Sequence, residues 1–301
     1  MHHTEMGCHT DVVVVNYNAG KLLVDCVASI LLSGARCAIV VDNGSEDGSI
    51  DALHRSIPDR RVRVIRNGQN LGFAAACNVG ARSSDAERVL FLNPDGVLVE
   101  GALQRMLEVM ESSESVGMVG GFLCNPDGSE QAGGRRVIPT PRRAFMRAFG
   151  LSGMARLFPE LMSDCLLHRE AVPMVPVPVE AISGACMLIR REAMKDVGLW
   201  DEGYFLHCED LDMCMRFKQK GWTILFVPDA RVVHELGVCS RDRRVFVEWH
   251  KHKGMLRFYR KFFRHEYPGV LMVLVTVGVW LRFGLMAGYL SVRKVLAKAT
   301  A

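Results

Sequence analysis

Hydrophobic and polar positions fall in alternating blocks from the start of the chain. Asp11–Val15 contains four consecutive valines and ends in the polar stretch Asn16-Tyr17-Asn18-Ala19-Gly20. Lys21–Ser33 then carries Leu22, Leu23, Cys26, Val27, Ile30 and Leu31 at helical spacing. Cys37–Val41 reads as a second buried strand, followed by the turn-forming run Asp42-Asn43-Gly44-Ser45-Glu46-Asp47-Gly48. Val62–Ile65 is a third strand, Gly72–Arg82 a helix of small residues, and Val89–Leu92 a fourth strand ending in Asn93-Pro94-Asp95-Gly96. Ala102–Met110 is amphipathic. Near-continuous apolar strands separated by helices predict an α/β fold with a mainly parallel sheet covered on both faces.

The pattern breaks over residues 125–180, which hold Gly133-Gly134, four arginines between 135 and 143, and prolines 173, 176 and 178. A long, partly mobile functional loop is expected there. Regular structure resumes with a strand at Ala185–Ile189, a helix from about Leu211 to Lys220 and a strand at Thr223–Val227. A basic helical stretch follows to about Arg264, and Gly269–Val292 is apolar apart from Arg282.

In an open parallel sheet, ligands bind beyond the carboxyl ends of the strands. Four polar clusters fall at those ends: Asn16-Tyr17-Asn18, Asp42-Asn43-Gly44-Ser45, Asn67–Asn70 and Asn93-Pro94-Asp95. No G-x-G-x-x-G follows the first strand and no G-x-x-x-x-G-K-[ST] occurs, which disfavours a dinucleotide dehydrogenase and a P-loop NTPase. Asp42 reads equally as a turn residue capping the next helix and as a ligand for a ribose. Asp95 reads as a turn residue or as a carboxylate holding Mg²⁺ or Mn²⁺ against a diphosphate. Further on, Glu209, Asp210 and Asp212 crowd the start of a helix. Acids suit a helix N-terminus, and Asp212 has Arg216 four residues on as an ion-pair partner. Glu209 and Asp210 are placed just before the helix, where one of them has the chemistry of a general base.

Charge separates two parts of the chain. Residues 1–240 carry 24 Lys and Arg against 30 Asp and Glu, whereas 241–301 carry 13 against 3. An acidic-to-neutral domain with a basic tail argues against a nucleic-acid partner and for a membrane surface. The ten cysteines form no C-x-x-C pair and several lie in apolar runs, so they are expected to be reduced thiols packing as small hydrophobes in a cytosolic compartment, with no signal peptide.

Seven segments in register resemble family 2 glycosyltransferases, in particular their rhamnosyltransferase-like bacterial branch. They are Val-Val-Asn-Tyr-Asn (14–18), Val-Asp-Asn-Gly-Ser-Glu-Asp-Gly-Ser (41–49), Asn-Leu-Gly-Phe-Ala-Ala-Ala-Cys-Asn (70–78), Phe-Leu-Asn-Pro-Asp (91–95), Ser-Gly-Ala-Cys-Met-Leu-Ile-Arg-Arg (183–191), Glu-Asp-Leu-Asp (209–212) and Val-His-Glu-Leu-Gly-Val-Cys-Ser (233–240). The resemblance implies a GT-A catalytic domain over residues 10–240, with a nucleotide-binding half at about 10–125 and an acceptor half at about 126–240. It implies that Asn16 and Asn18 lie beside the nucleotide, that Asp42 binds the pyrimidine, and that Asn70, Gly72 and Phe73 wall the nucleotide pocket. Asp95 corresponds to the last residue of the family's metal-binding motif and His234 to a second metal ligand, with Mg²⁺ or Mn²⁺ as cofactor. Asp210 matches the catalytic base, with Glu209 beside it, and Ser183 and Gly184 shape the acceptor floor. Two departures stand out: Asn-Pro-Asp replaces Asp-x-Asp, and the loop after His234 differs from the family's His-x-Gly-Gly-x-Ser.

The activity so implied is inverting transfer of a sugar from a nucleotide-sugar donor to a glycan or polyprenyl-diphosphate-linked acceptor in cell-envelope polysaccharide synthesis. dTDP-L-rhamnose is the expected donor and a UDP-hexose the alternative. A nucleotidyltransferase would want a Gly-rich basic loop after the first strand, and an inactive scaffold would not need Asp95 and Asp210. Arg135, Arg136, Arg142 and Arg143 are read as a grip for an acceptor diphosphate or as solvated loop charges. Residues 241–301 are read as a membrane-associating tail at the cytoplasmic face of a bacterial inner membrane. Its apolar segment is expected to lie in one leaflet or to form a shallow re-entrant pair, because Arg282 near its middle opposes spanning.

Overall fold

The computed structural model describes residues 9–143, 167, 170–235 and 243–299, with the last helix described for its backbone alone beyond residue 293. Residues 144–166 and 168–169 of the arginine- and proline-rich excursion, and the altered loop after His234 (236–242), lie outside the described residues.

The first half of the chain follows the predicted alternation. Strands β1 (Thr10–Asn16), β2 (Cys37–Asp42), β3 (Val62–Arg66) and β4 (Arg88–Leu92) are joined by helices α1 (Leu22–Leu32), α2 (Ser49–Ser56) and α3 (Phe73–Arg82). They pair in parallel, in the order β3-β2-β1-β4. Successive side chains of these strands point to opposite faces. Val13 and Val15 of β1, Ile39 of β2 and Phe91 of β4 enter one core layer, while Val12, Val14, Val40 and Leu90 enter the other. All four valines of β1 are buried, each worth roughly 1.5–3 kcal/mol on leaving water.

After the short β5 (Gly96–Leu98) and helix α4 (Ala102–Glu111) comes β6 (Val116–Cys124), nine buried residues that the apolar pattern does not announce. Its glycines serve close packing. A Cβ on Gly120 would lie 2.8 Å from Ile182 Cγ2. The remaining strands are β7 (Arg135–Arg136), β8 (Val177–Pro178), β9 (Ala181–Ile182), β10 (Cys186–Arg190) and β11 (Thr223–His234). Between β4 and β6, β10 inserts antiparallel, and β11 runs parallel to β6. β11 reaches seven residues beyond the predicted Val227, through an irregularity between Val227 and Arg231, and thereby delivers His234 to the site.

Helices α5 (Arg191–Val197) and α6 (Glu209–Gln219) cover the layer that also holds α3. The tail divides in two. Helix α7 (Arg244–Phe262) is part of the packed body: Phe258, Tyr259 and Phe263 are buried in the same layer as α3 and α6. Lys261 Nζ lies 2.6 Å from Asp212 and 2.7 Å from Asp201. Asp212, fully buried, also takes Arg216 Nε at 2.6 Å, so it is structural. Helix α8 (Gly269–Ala299) is one continuous helix, which removes the re-entrant alternative. It packs on α7 through Trp249, Trp280 and Phe283. Residues Gly269–Arg293 are apolar and long enough to cross a membrane, and only 6% of their most apolar stretch is buried.

Candidate functional site

The carboxyl ends of β1 and β2 are tied by one amide. Asn16 Nδ2 donates to Asp42 Oδ1 at 3.0 Å, Ser45 Oγ at 3.0 Å and Ser49 Oγ at 2.9 Å. Asn16 is wholly buried, so its part is to fix the loop after β2. The Asp42 carboxylate accepts the backbone N–H of Ser45, as a turn residue would. Asn18, in the left-handed region at φ 54°, accepts from Glu46 N–H at 2.9 Å and clasps the same loop.

Asn70 Oδ1 accepts from Gly72 N–H at 2.9 Å and faces Asn43 Nδ2 at 3.4 Å. Gly72 has φ 88°, and a Cβ there would lie 2.7 Å from the carbonyl oxygen of Phe205, so both the backbone and the space require glycine. That carbonyl accepts the N–H of Phe73 at 2.8 Å. The start of α3 is thereby stapled to the segment entering α6. Asn78, which the sequence reading passes over, strengthens the staple: its amide exchanges hydrogen bonds with the Trp200 backbone at 2.9 and 3.0 Å.

The same segment turns sharply. His207 and Cys208 are consecutive residues in the left-handed region, at φ 67° and 71°, which delivers Glu209 and Asp210 as the first residues of α6 rather than residues before it. Asp210 Oδ2 accepts Gly184 N–H at 3.2 Å and forms an ion pair with Arg136, while Oδ1 accepts its neighbour Leu211 N–H at 2.8 Å. Burial works against its charge, but the Arg136 guanidinium and these N–H groups hold its carboxyl below the ordinary carboxylate value. Glu209 is the opposite case. Burial and the neighbouring Asp210 charge push it up to about 8, and its Oε2 has no partner among the described residues. Of the two acids, Asp210 is the ionised and more accessible one, with 14% of its side chain exposed.

A Cβ on Gly184 would meet Asp210 at 3.4 Å, Phe73 at 3.5 Å and Trp200 at 3.6 Å, so the floor beside the carboxylate is a glycine set against two aromatic rings. Ser183 is turned to the backbone, with Oγ accepting Ala185 N–H at 3.2 Å. The Ala185 carbonyl in turn accepts Asn93 N–H at 3.0 Å, which connects this floor to the end of β4. Of the four arginines, Arg135 is buried against Glu130 at 2.7 Å and Arg136 is held by Asp210 and the Ile182 carbonyl. Arg142 and Arg143 alone remain from the expected diphosphate grip.

At the end of β4, Asp95 Oδ1 lies 3.1 Å from His234 Nε2, with both residues 7% exposed. Gln131 settles the tautomer: its Nε2 donates to Asn125 Oδ1 at 3.2 Å and to the His234 carbonyl at 3.1 Å. Its Oε1 therefore faces His234 Nδ1, at 2.6 Å, and Nδ1 carries the hydrogen. Nε2 faces Asp95 and, at 3.2 Å, Asn93 Nδ2. A histidine whose far nitrogen donates to an amide oxygen while the near one points at a carboxylate has the arrangement of a metal ligand. The separation also suits adjacent ligands of an octahedral Mg²⁺ or Mn²⁺, about 3 Å apart at 2.1 Å bonds. Among the described residues no group of three metal-ligating side chains occurs, so further ligands would come from phosphate oxygens or water. Gln131 and Asn125 lie in the glycine-rich stretch and carry no motif signal.

The seven cysteines among the described residues are free and buried, as expected of small hydrophobes. Several solved structures share the fold. A mannosyltransferase from Pyrobaculum calidifontis, in complex with GDP-Man and Mn²⁺, aligns over 97% of this chain and 76% of its own, with a TM-score of 0.57 and 15% identity. GalNAc-T7 with UDP, GalNAc and Mn²⁺ aligns over 75% and 43%, with a TM-score of 0.54 and 19% identity. In sequence, the chain is 31% identical over 236 residues to an N-acetylglucosaminyl-diphospho-decaprenol L-rhamnosyltransferase of Mycobacterium tuberculosis, covering 74% of this chain and 75% of that one. It is 25% identical over 183 residues to the rhamnosyltransferase WbbL of Escherichia coli, covering 56% and 60%. The description Glycosyltransferase like family 2 matches residues 9–252. With the GT-A architecture and the polar edge at β1, β2 and β4, these matches make the chain a glycosyltransferase that belongs to family 2.

Proposed function

We propose that the protein transfers L-rhamnose, with inversion, from dTDP-L-rhamnose to a sugar carried on a polyprenyl diphosphate at a membrane surface. The observation that carries the mechanism is the arrangement of Asp210: ionised, oriented by Arg136 and the Gly184 N–H, and beside a glycine. The M. tuberculosis relative's name supports the choice of sugar and acceptor class. A UDP-hexose donor is the second reading.

The chain's own groups act as follows. The loops closed by Asn16, Asn18 and Asn70 give the donor a rigid wall, with Asp42 and Phe73 on it. Asp95 and His234 would hold the divalent ion, Mg²⁺ or Mn²⁺, which when bound neutralises charge on the donor diphosphate. An acceptor hydroxyl over Gly184 loses its proton to Asp210 as its oxygen forms a bond to the anomeric carbon. The bond from that carbon to the diphosphate oxygen breaks, and the nucleoside diphosphate leaves with the electron pair. A carboxylate of low basicity suffices because the leaving bond is already breaking when the proton moves. Arg136 keeps Asp210 ionised and correctly turned.

Exposed Val270, Val273, Leu281 and Leu285 on α8, with the basic residues of α7 and beyond, support attachment to an anionic membrane, for which the cytoplasmic face of a bacterial inner membrane is proposed. Incubating the protein with a panel of nucleotide sugars and polyprenyl-diphosphate-linked N-acetylglucosamine, followed by mass spectrometry of the lipid products, tests donor and acceptor together. A deoxyhexose added only from dTDP-L-rhamnose is expected; addition of a hexose from a UDP-sugar selects the second reading.

A further inference from the structure

A cavity of about 300 Å³ lies on the α6 side of the molecule, away from the Asp95–His234 pair. Its charged lining is Arg142, Arg143, Lys218 and Glu180. Glu180 Oε2 accepts Ile138 N–H at 2.8 Å and lies 3.7 Å from Arg143, and Oε1 lies 3.6 Å from Lys218, so one carboxylate orders two of the three cations. The set keeps a surplus of positive charge, and Arg142 stands on the exposed rim. The apolar lining is Ile138, Met215, Phe263 and Tyr267.

Two chain segments run from the catalytic carboxylate into this cavity. Met215 and Lys218 follow Asp210 on α6 by five and eight residues, which is about 7.5 and 12 Å along the helix axis. Arg136, which holds Asp210, precedes Ile138 by two residues. The opposite wall, Phe263 and Tyr267, is the corner between α7 and α8, with rings edge to face at 5.9 Å and the exposed apolar helix starting at Gly269. Counted from α8, the apolar exit, the cations and Asp210 are thus lined up in that order.

We propose that this cavity takes the diphosphate of an isoprenoid-linked acceptor, a role that rests on the glycosyltransferase reading of the Asp210 edge. The diphosphate oxygens pair with Arg142, Arg143 and Lys218, whose charge-assisted hydrogen bonds suit them. The first isoprene units leave over Phe263 and Tyr267 toward α8. The sugar on the other side of the diphosphate extends along α6 to Asp210.

The test uses the full-length protein in detergent. Farnesyl diphosphate is the probe, inorganic pyrophosphate and phosphatidylglycerol vesicles are controls, and the variants are Arg142→Gln alone and Arg142→Gln/Arg143→Gln/Lys218→Gln together. Farnesyl diphosphate is expected to inhibit transfer to the lipid-linked acceptor, and the triple variant to weaken both that inhibition and the acceptor KM. Each lost contact should cost about tenfold, while the KM for the nucleotide sugar stays unchanged. The single rim variant, which removes no internal hydrogen bond, should show the same direction in smaller degree. Unchanged inhibition and acceptor KM in both variants overturn the proposal. So does a loss confined to phosphatidylglycerol binding, which would make the cavity a general headgroup anchor, or equal inhibition by pyrophosphate and farnesyl diphosphate. A wild-type protein that binds the nucleotide yet transfers to no lipid-linked acceptor would instead overturn the functional reading beneath it.

Discussion

Replacing Asp210 by Asn is the sharpest test of the catalytic assignment, because it removes a charge and a proton acceptor while keeping the shape. The amide oxygen can still accept from Gly184 or Leu211, whereas Arg136 keeps only the Ile182 carbonyl as a full-strength acceptor. Weakening a largely buried charge-assisted pair costs about 1–3 kcal/mol, within the stability of an ordinary domain, so the variant should fold. Loss of a positioned base lowers the rate by about 10² to 10⁴, equivalent to roughly 2.7–5.5 kcal/mol in the barrier. Donor binding, governed by the other end of the edge, should be unchanged. The measurement is the initial transfer rate at saturating donor, alongside nucleotide calorimetry and a thermal melt. A folded variant that retains more than about a tenth of the wild-type rate would refute the assignment of the base, given the size of effect such groups have. Glu209→Gln is the paired control: a neutral acid replaced by a neutral amide should keep most activity, and a collapse there would move the base one residue.

Further outcomes follow from the same geometry. Glu209 is raised to about 8 by burial and by Asp210, against 4.5 for the free side chain, so its contribution to stability is complete below about pH 4.5 and is lost as pH rises through 8. Glu209→Gln should therefore gain thermal stability relative to wild type on going from about pH 5 to 9, and parallel melting curves would count against this. Transfer should vanish in excess EDTA and return with Mg²⁺ or Mn²⁺; Gln131→Leu, which removes the acceptor from His234 Nδ1, should raise the metal concentration needed by about 10- to 100-fold, read by metal titration. Phe258→Ala on α7 should cost about 3–5 kcal/mol in a denaturant titration. For the same reason a chain ending near Ser240 should lose the folded core along with α8, and a cooperative melt with nucleotide binding in that fragment would contradict it.

The strands β1, β2 and β4 were legible because each is an apolar run with both faces buried, and the site residues at their ends follow from where such strands stop. Asn16, Asp42 and Asp95 fall on one edge for that reason, whereas Asn70 follows β3 and Asp210 heads α6. Strand β6 was not legible: Gly117, Gly120 and Gly121 supply no side chain to the pattern, although their bareness is what lets Ile182 and Phe217 approach. The orienting groups were hidden too. Gln131 and Arg136 sit in an irregular segment, and they matter through hydrogen bonds to residues 103 and 74 positions away. Periodicity carries no information about pairs so far apart. The tail's charge pointed to a separate module, yet Lys261 and Arg257 spend their charge on Asp201, whose carboxyl, despite partial burial, they and the Gly203 N–H hold at about 2.

The division of the core by the sheet has a practical side. Helices α3, α6, α7 and α8 share one layer, whereas α1, α2 and α4 pack in the other. A binding reagent raised against α4 or the exposed end of α1 at Leu32 would grip the molecule on the side opposite Asp210 and α8. Such a handle enlarges the particle for imaging, or immobilises it on a sensor, with the cleft still open to donor and acceptor. The same reagent directed at α7 would press on the helix that braces Asp212 and work as an inhibitor.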